Sequence, residues 1–162
     1  MEVKEHILRA YRHVLAKDAH LLKVDANERS ITHRFAIYIE HEFPEFNVDC
    51  EYNRKGLDVK RLPSFGIDPR TIERLGINLY PDIIVHHRGT DNNFVAIEAK
   101  PSPKNAPCKK PQERECDCDR CKLRAYRADL KYQHTFYVVF PVETEFEKFT
   151  DARLNDYITE IR

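Results

Sequence analysis

Two apolar runs separated by a short turn constrain this chain more than anything else in it. "YPDIIVHH" ends at His87, "RGTDNN" follows, and "FVAIEAK" runs from Phe94 to Lys100. The runs are rich in Val and Ile, and the connection is rich in turn residues, so Tyr80–His87 and Phe94–Lys100 should pair as antiparallel strands. A pair this apolar needs cover on both faces, which calls for helices packed on a sheet.

The flanking sequence supplies that cover. From Glu2 to about Leu22, Val3, Ile7, Leu8, Tyr11, Val14, Leu15 and Ala19 recur at helical spacing. A second helix should run from about Ala26 to Phe43, with Asp25 and Asn27 as start residues and Pro44 as the stop. "FNVDCEYNR" alternates like a strand, and Lys55 to Leu79 reads as a long loop with a helical turn near 69–75. After the hairpin, a proline-rich stretch over about 101–117 gives way to a helix over 119–131 and a short apolar strand, His134–Phe140. In the tail, Phe146, Phe149, Leu154, Tyr157 and Ile161 again follow helical spacing.

The core order is therefore helix, three-strand meander, helix, strand, with extra N- and C-terminal helices. A strand–helix–strand passage favours a parallel neighbour by crossover. The expected architecture is α/β, a mixed sheet flanked by helices, in one domain over residues 1–162. No apolar run approaches the roughly 20 residues of a membrane helix, and the charged N-terminus lacks a signal-peptide centre. The expected location is the cytoplasm. Lys plus Arg and Asp plus Glu both number 27, so any attraction to nucleic acid must come from a local field rather than net charge.

Charges at the ends of the hairpin need a reason. Strand alternation puts Glu98 and Lys100 on one face, with Val95, Ile97 and Ala99 on the other. Centring the turn between Thr90 and Asn92 brings Asp82 opposite Glu98 to Lys100. Two carboxylates held together in a buried setting need a neutralising cation. Mg²⁺ suits such a pair, and a lysine beside it can position water or stabilise phosphate charge. The plain alternative is a salt bridge between Lys100 and one acid.

Pro81-Asp82, a 15-residue gap and Glu98-Ala99-Lys100 resemble the PD-(D/E)xK motif of the restriction-endonuclease-like nuclease superfamily. That superfamily's core has the element order read above, and the resemblance covers about residues 26–140. "NERSITHRFAIYIEHEF", "DCEYNR" and "PDIIVHHRG" also resemble small prokaryotic members for which no substrate is known. The resemblance implies a nuclease that hydrolyses DNA phosphodiesters with Mg²⁺ or Mn²⁺, without strong sequence specificity. RNA is a further possible substrate, and a homodimer or a partner protein is the expected source of any specificity. It implies Asp82 and Glu98 as metal ligands and Lys100 as the catalytic lysine. Glu28, in the first turn of the first core helix, fills the role of an assisting glutamate; a helix-start acid favoured by the macrodipole is its plain reading. Glu40, Glu42, Asp49 and Glu51 fit less well, the last two being solvated or paired with Arg54. The alternative function is a catalytically silent nucleic-acid- or protein-binding adaptor on the same fold.

Cys108, Cys116, Cys118 and Cys121 form a C-x7-C-x-C-x2-C series that begins in an insertion over about 101–118 and ends in the helix that follows. Four thiolates can close a structural Zn²⁺ site; reduced free thiols are the alternative. Arg54, Lys122 and Arg124 are candidate nucleic-acid contacts, against solvated charge as the plain reading. His33, Tyr38, His86 and His87 lack a spaced partner that would single them out.

Overall fold

A computed structural model of the chain describes residues 2–51, 54–55, 58–59, 64, 80–102 and 118–162, with backbone alone at 54, 55, 58, 59 and 118. Helix α1, Val3–Lys17, buries Ile7, Leu8, Ala10, Tyr11 and Val14 along one stripe. The single helix expected to about Leu22 is broken at Asp18, and α2 covers Ala19–Lys23. Asp18 is held by α3 (Glu28–Glu42): its carboxylate accepts from Arg34 Nε at 2.9 Å and from the Tyr38 hydroxyl at 2.7 Å. Helix α3 starts at the Asn27 cap, whose side chain accepts from the Ser30 N–H at 2.9 Å.

Five strands form the main sheet: β1 (Asn47–Cys50), β4 (Ile83–His86), β5 (Asn93–Pro101), β6 (His134–Phe140) and β7 (Ile158–Glu160), in the spatial order β1-β4-β5-β6-β7. β1, β4 and β5 form the antiparallel meander. Helix α4, Cys118–Leu130, is the crossover that lets β6 join β5 in parallel. Two short strands, β2 (Arg54–Lys55) and β3 (Asp58–Val59), form a separate ladder at the start of the stretch read as loop. The helical turn expected near 69–75 lies outside the described residues.

Alternation divides the sheet into two packed faces. Ile83, Val85, Val95, Ile97, Ala99, Phe136, Val138 and Phe140 face α1 and α3. There Tyr11 stacks on Phe140 at 4.8 Å, Phe35 meets Phe140 edge-on at 5.2 Å, and the Tyr11 hydroxyl donates to the Val139 carbonyl at 2.7 Å. On the opposite face Ile84 and Ala96 pack with Leu123, Tyr126, Leu130, Tyr132 and Ile161.

The tail departs from expectation. In place of a terminal helix there is one turn of helix, α5 (Thr144–Glu147), then a 3-10 helix over Asp151–Tyr157, then β7 antiparallel to β6. Leu154, Tyr157 and Ile158 pack with the first face, whereas Ile161 packs with the second. A single helical stripe cannot serve both sides of a sheet, whereas a strand at its edge can. No helix among the described residues is long and apolar enough to cross a membrane.

Candidate active site

The hairpin register sets the site. Ile83 pairs with Ile97, so Asp82, one residue earlier, stands across from Glu98. The Asp82 carbonyl accepts from the Glu51 N–H at 3.1 Å, and its side-chain Oδ2 accepts from the Ala99 N–H at 2.8 Å. The other carboxylate oxygen takes no hydrogen bond from the described residues. Burial pushes the Asp82 carboxyl up from the usual range, and the Ala99 hydrogen bond and the Lys100 charge offset only part of that.

Glu98 is 0% exposed. It lies on the α4 side of the sheet, two residues on from Ala96. Its Oε1 accepts from the Tyr126 hydroxyl at 2.9 Å, and its Oε2 accepts from Lys122 Nζ at 3.2 Å. Burial, helped by the neighbouring Asp82 charge, pushes this carboxyl up to about 8 even with Lys122 beside it.

Lys100, two residues further along β5, reaches past the strand end. Its Nζ donates to Glu28 Oε1 at 2.8 Å and stands 4.0 Å from Asp119 Oδ2. Burial alone would lower its pKa, but Glu28, Asp82 and Asp119 together raise it well above the usual lysine value. The Asn27 cap fixes the first turn of α3 and so places Glu28 for this pairing.

Helix α4 supplies the remaining charged groups. Asp119, Lys122 and Tyr126 are spaced three and four apart and therefore share one face. Lys122 is 7% exposed and pairs with both Glu98 and Asp119, the latter at 2.8 Å. Burial opposes its charge, yet Glu98 and Asp119 hold its pKa above the ordinary lysine value.

These groups border a cleft of about 430 Å³ lined by Glu28, Arg29, Thr32, His33, Cys50, Glu51, Asp82, Lys100 and Lys122. Glu98 is not among the lining residues; it lies behind Lys122. Glu51 occupies a left-handed backbone position, φ 48°, and pairs with the exposed Arg29 at 3.4 Å on the cleft wall. Four carboxylates, of Glu28, Asp82, Glu98 and Asp119, thus surround two ammonium groups, of Lys100 and Lys122. When all are ionised they leave a surplus of negative charge. No group of three or more His, Cys, Asp or Glu arranged to hold a metal ion is present among the described residues.

Of the four residues singled out in the sequence, Asp82, Lys100 and Glu28 line one cleft, and Glu98 stands across from Asp82 without lining it. Lys122 joins them, but its ammonium is turned inward to Glu98 and Asp119 rather than lying on a phosphate-facing basic surface. Arg124 is exposed and lines a separate hollow with Ser64, Cys121, Ala125 and Ala128, so it does not share the cleft. The Arg54 side chain, Cys108, Cys116 and the Cys118 side chain lie outside the described residues. Cys121 is disulfide-bonded. Asp49 is paired with Arg88 and with the buried His86. Glu42 is held by Arg9 and His6, away from the cleft. Asp119 and Tyr126 went unread in the sequence. Their only signal was D-x2-K-x3-Y, which places all three side chains on one helical face.

Comparison with protein families, curated proteins and solved structures found no match.

Proposed function

We propose that this chain is a divalent-metal-dependent nuclease that hydrolyses DNA phosphodiester bonds, built on a restriction-endonuclease-like core. The observation that carries the reading is the meeting of Asp82, Glu98 and Lys100 at one end of the sheet, with Glu28 closing the cleft from α3. The donor set suits Mg²⁺ or Mn²⁺. It has more carboxylates than ammonium groups, and Asp82, which lines the cleft, has one oxygen without a hydrogen bond from the described residues. Mg²⁺ commonly takes only one or two carboxylates and completes its shell with water and phosphate oxygens, so a ready-made cage is not required.

Asp82 would hold the ion, with Glu28 at the cleft wall and Glu98 behind Lys122 as the further carboxylates. When bound, the metal supplies Lewis acidity toward the phosphate and a water of lowered pKa. Glu28, Asp82 and Asp119 favour the charged form of Lys100, which suits it to electrostatic work: it would orient the attacking water and face the charge that gathers on the phosphoryl oxygens.

The test is incubation of plasmid, single-stranded DNA and RNA with the protein, with Mn²⁺ or with chelator. Metal-dependent cleavage should fall by about a hundredfold or more in both Lys100→Ala and Asp82→Asn. The second reading, a catalytically silent binding module, draws on the complete burial of Glu98 behind Lys122. Tight binding without cleavage under any metal would favour that module.

A further inference from the structure

Lys122 is an unusual neighbour for a carboxylate expected to meet a metal. Its ammonium is within hydrogen-bond distance of Glu98 and Asp119, two acids from different elements, β5 and α4. It lines the cleft while Glu98 does not, so the lysine separates the most buried carboxylate from the space a ligand would enter. Among the described residues Glu98 has no other charged donor; the Tyr126 hydroxyl satisfies its second oxygen. Asp119 has a second cation nearby, since Lys100 stands 4.0 Å away. Lys122 could therefore leave without stranding Asp119, but an ionised Glu98 would then need another cation.

We propose that Lys122 is an internal counter-ion that occupies the inner half of the divalent-cation site and swings out when the metal binds, releasing Glu98 and Asp119 as carboxylates for the ion. This rests on the metal-dependent reading above and adds to it a resident competitor and a carboxylate, Asp119, on α4. The flexible four-carbon stem of lysine makes the movement a change of side-chain rotamers, with no shift of backbone required. A divalent ion outcompetes a single ammonium between two carboxylates because its charge is doubled and it contacts the oxygens directly.

Mn²⁺ affinity measured by calorimetry on the whole chain separates the possibilities. Removing the competitor in Lys122→Met should tighten Mn²⁺ binding by roughly tenfold or more, and Asp119→Asn should weaken it. Unchanged or weaker affinity in Lys122→Met overturns the proposal. Asp82→Asn serves as the control for the site itself. If it abolishes binding while Lys122→Met does nothing, the metal site stands and the counter-ion role falls. If the parent and all three variants bind no Mn²⁺, the metal-dependent reading fails and takes the counter-ion role with it. Should Lys122→Met not fold, a brief acetic anhydride pulse on the parent protein, read by peptide mass spectrometry, gives the same answer. Labelling at Lys122 should rise severalfold when Mg²⁺ is added; equal labelling with and without Mg²⁺ overturns the proposal.

Discussion

Glu98 is a carboxyl group buried from solvent, so its protonation is coupled to folding. Its free value is 4.5, and the folded environment raises it to about 8. Folding therefore favours the protonated form. The stabilisation this proton brings is fully present below about pH 4.5 and is lost as the pH climbs toward about 8. Glu98→Gln cannot ionise and keeps an acceptor for Tyr126. Thermal melts should show the variant more stable than the parent at about pH 9 and little different at about pH 5. An identical pH slope in both proteins would mean that Glu98 does not carry the effect. At this scale the sequence was most legible where backbone geometry alone decides. Strand alternation settles which way Glu98 and Lys100 point, and a cap residue settles where Glu28 begins a helix. It was least legible where the rotation of a helix decides. Lys122 was singled out for phosphate, but the turn of α4 against β5 directs it to Glu98, and Asp119 and Tyr126 gain meaning only from that same turn.

Among the elements, α3 links stability to the site most directly. Asn27 satisfies an orphan N–H at the end that carries Glu28. Asn27→Ala should cost about 1 kcal/mol, read as a lower urea midpoint with an unchanged slope. The same change frays the turn that holds Lys100's partner. The strands were legible because Val and Ile runs bounded by turn residues have few other outcomes, and α4 was legible from its apolar spacing. The tail was not. Phe146, Phe149, Leu154, Tyr157 and Ile161 fall three to five apart, as a helix would have them. That spacing also arises when successive residues serve opposite faces of a sheet edge. The break between α1 and α2 was hidden for a related reason: it falls at Asp18, whose partners Arg34 and Tyr38 lie on another helix.

For the whole molecule, one face of the sheet carries the larger aromatic core. Phe140 is buried between Tyr11 and Phe35. Phe140→Ala leaves a cavity beside rings from α1 and α3 and should cost about 3–5 kcal/mol, a large share of the roughly 5–15 kcal/mol that holds such a domain together. Arg124→Ala, at an exposed position, should stay within about 0.5 kcal/mol. Chemical denaturation of the two variants side by side checks both values. The Lys100–Glu28 pair has a consequence of its own. Glu28 belongs to the helical layer on one side of the sheet, and Lys100 extends from a strand position whose side chains face the other side. The pair is thus a strap thrown around the rim of the sheet. Any anion that drew Lys100 to itself would unfasten that strap and with it release Glu28 in the first turn of α3.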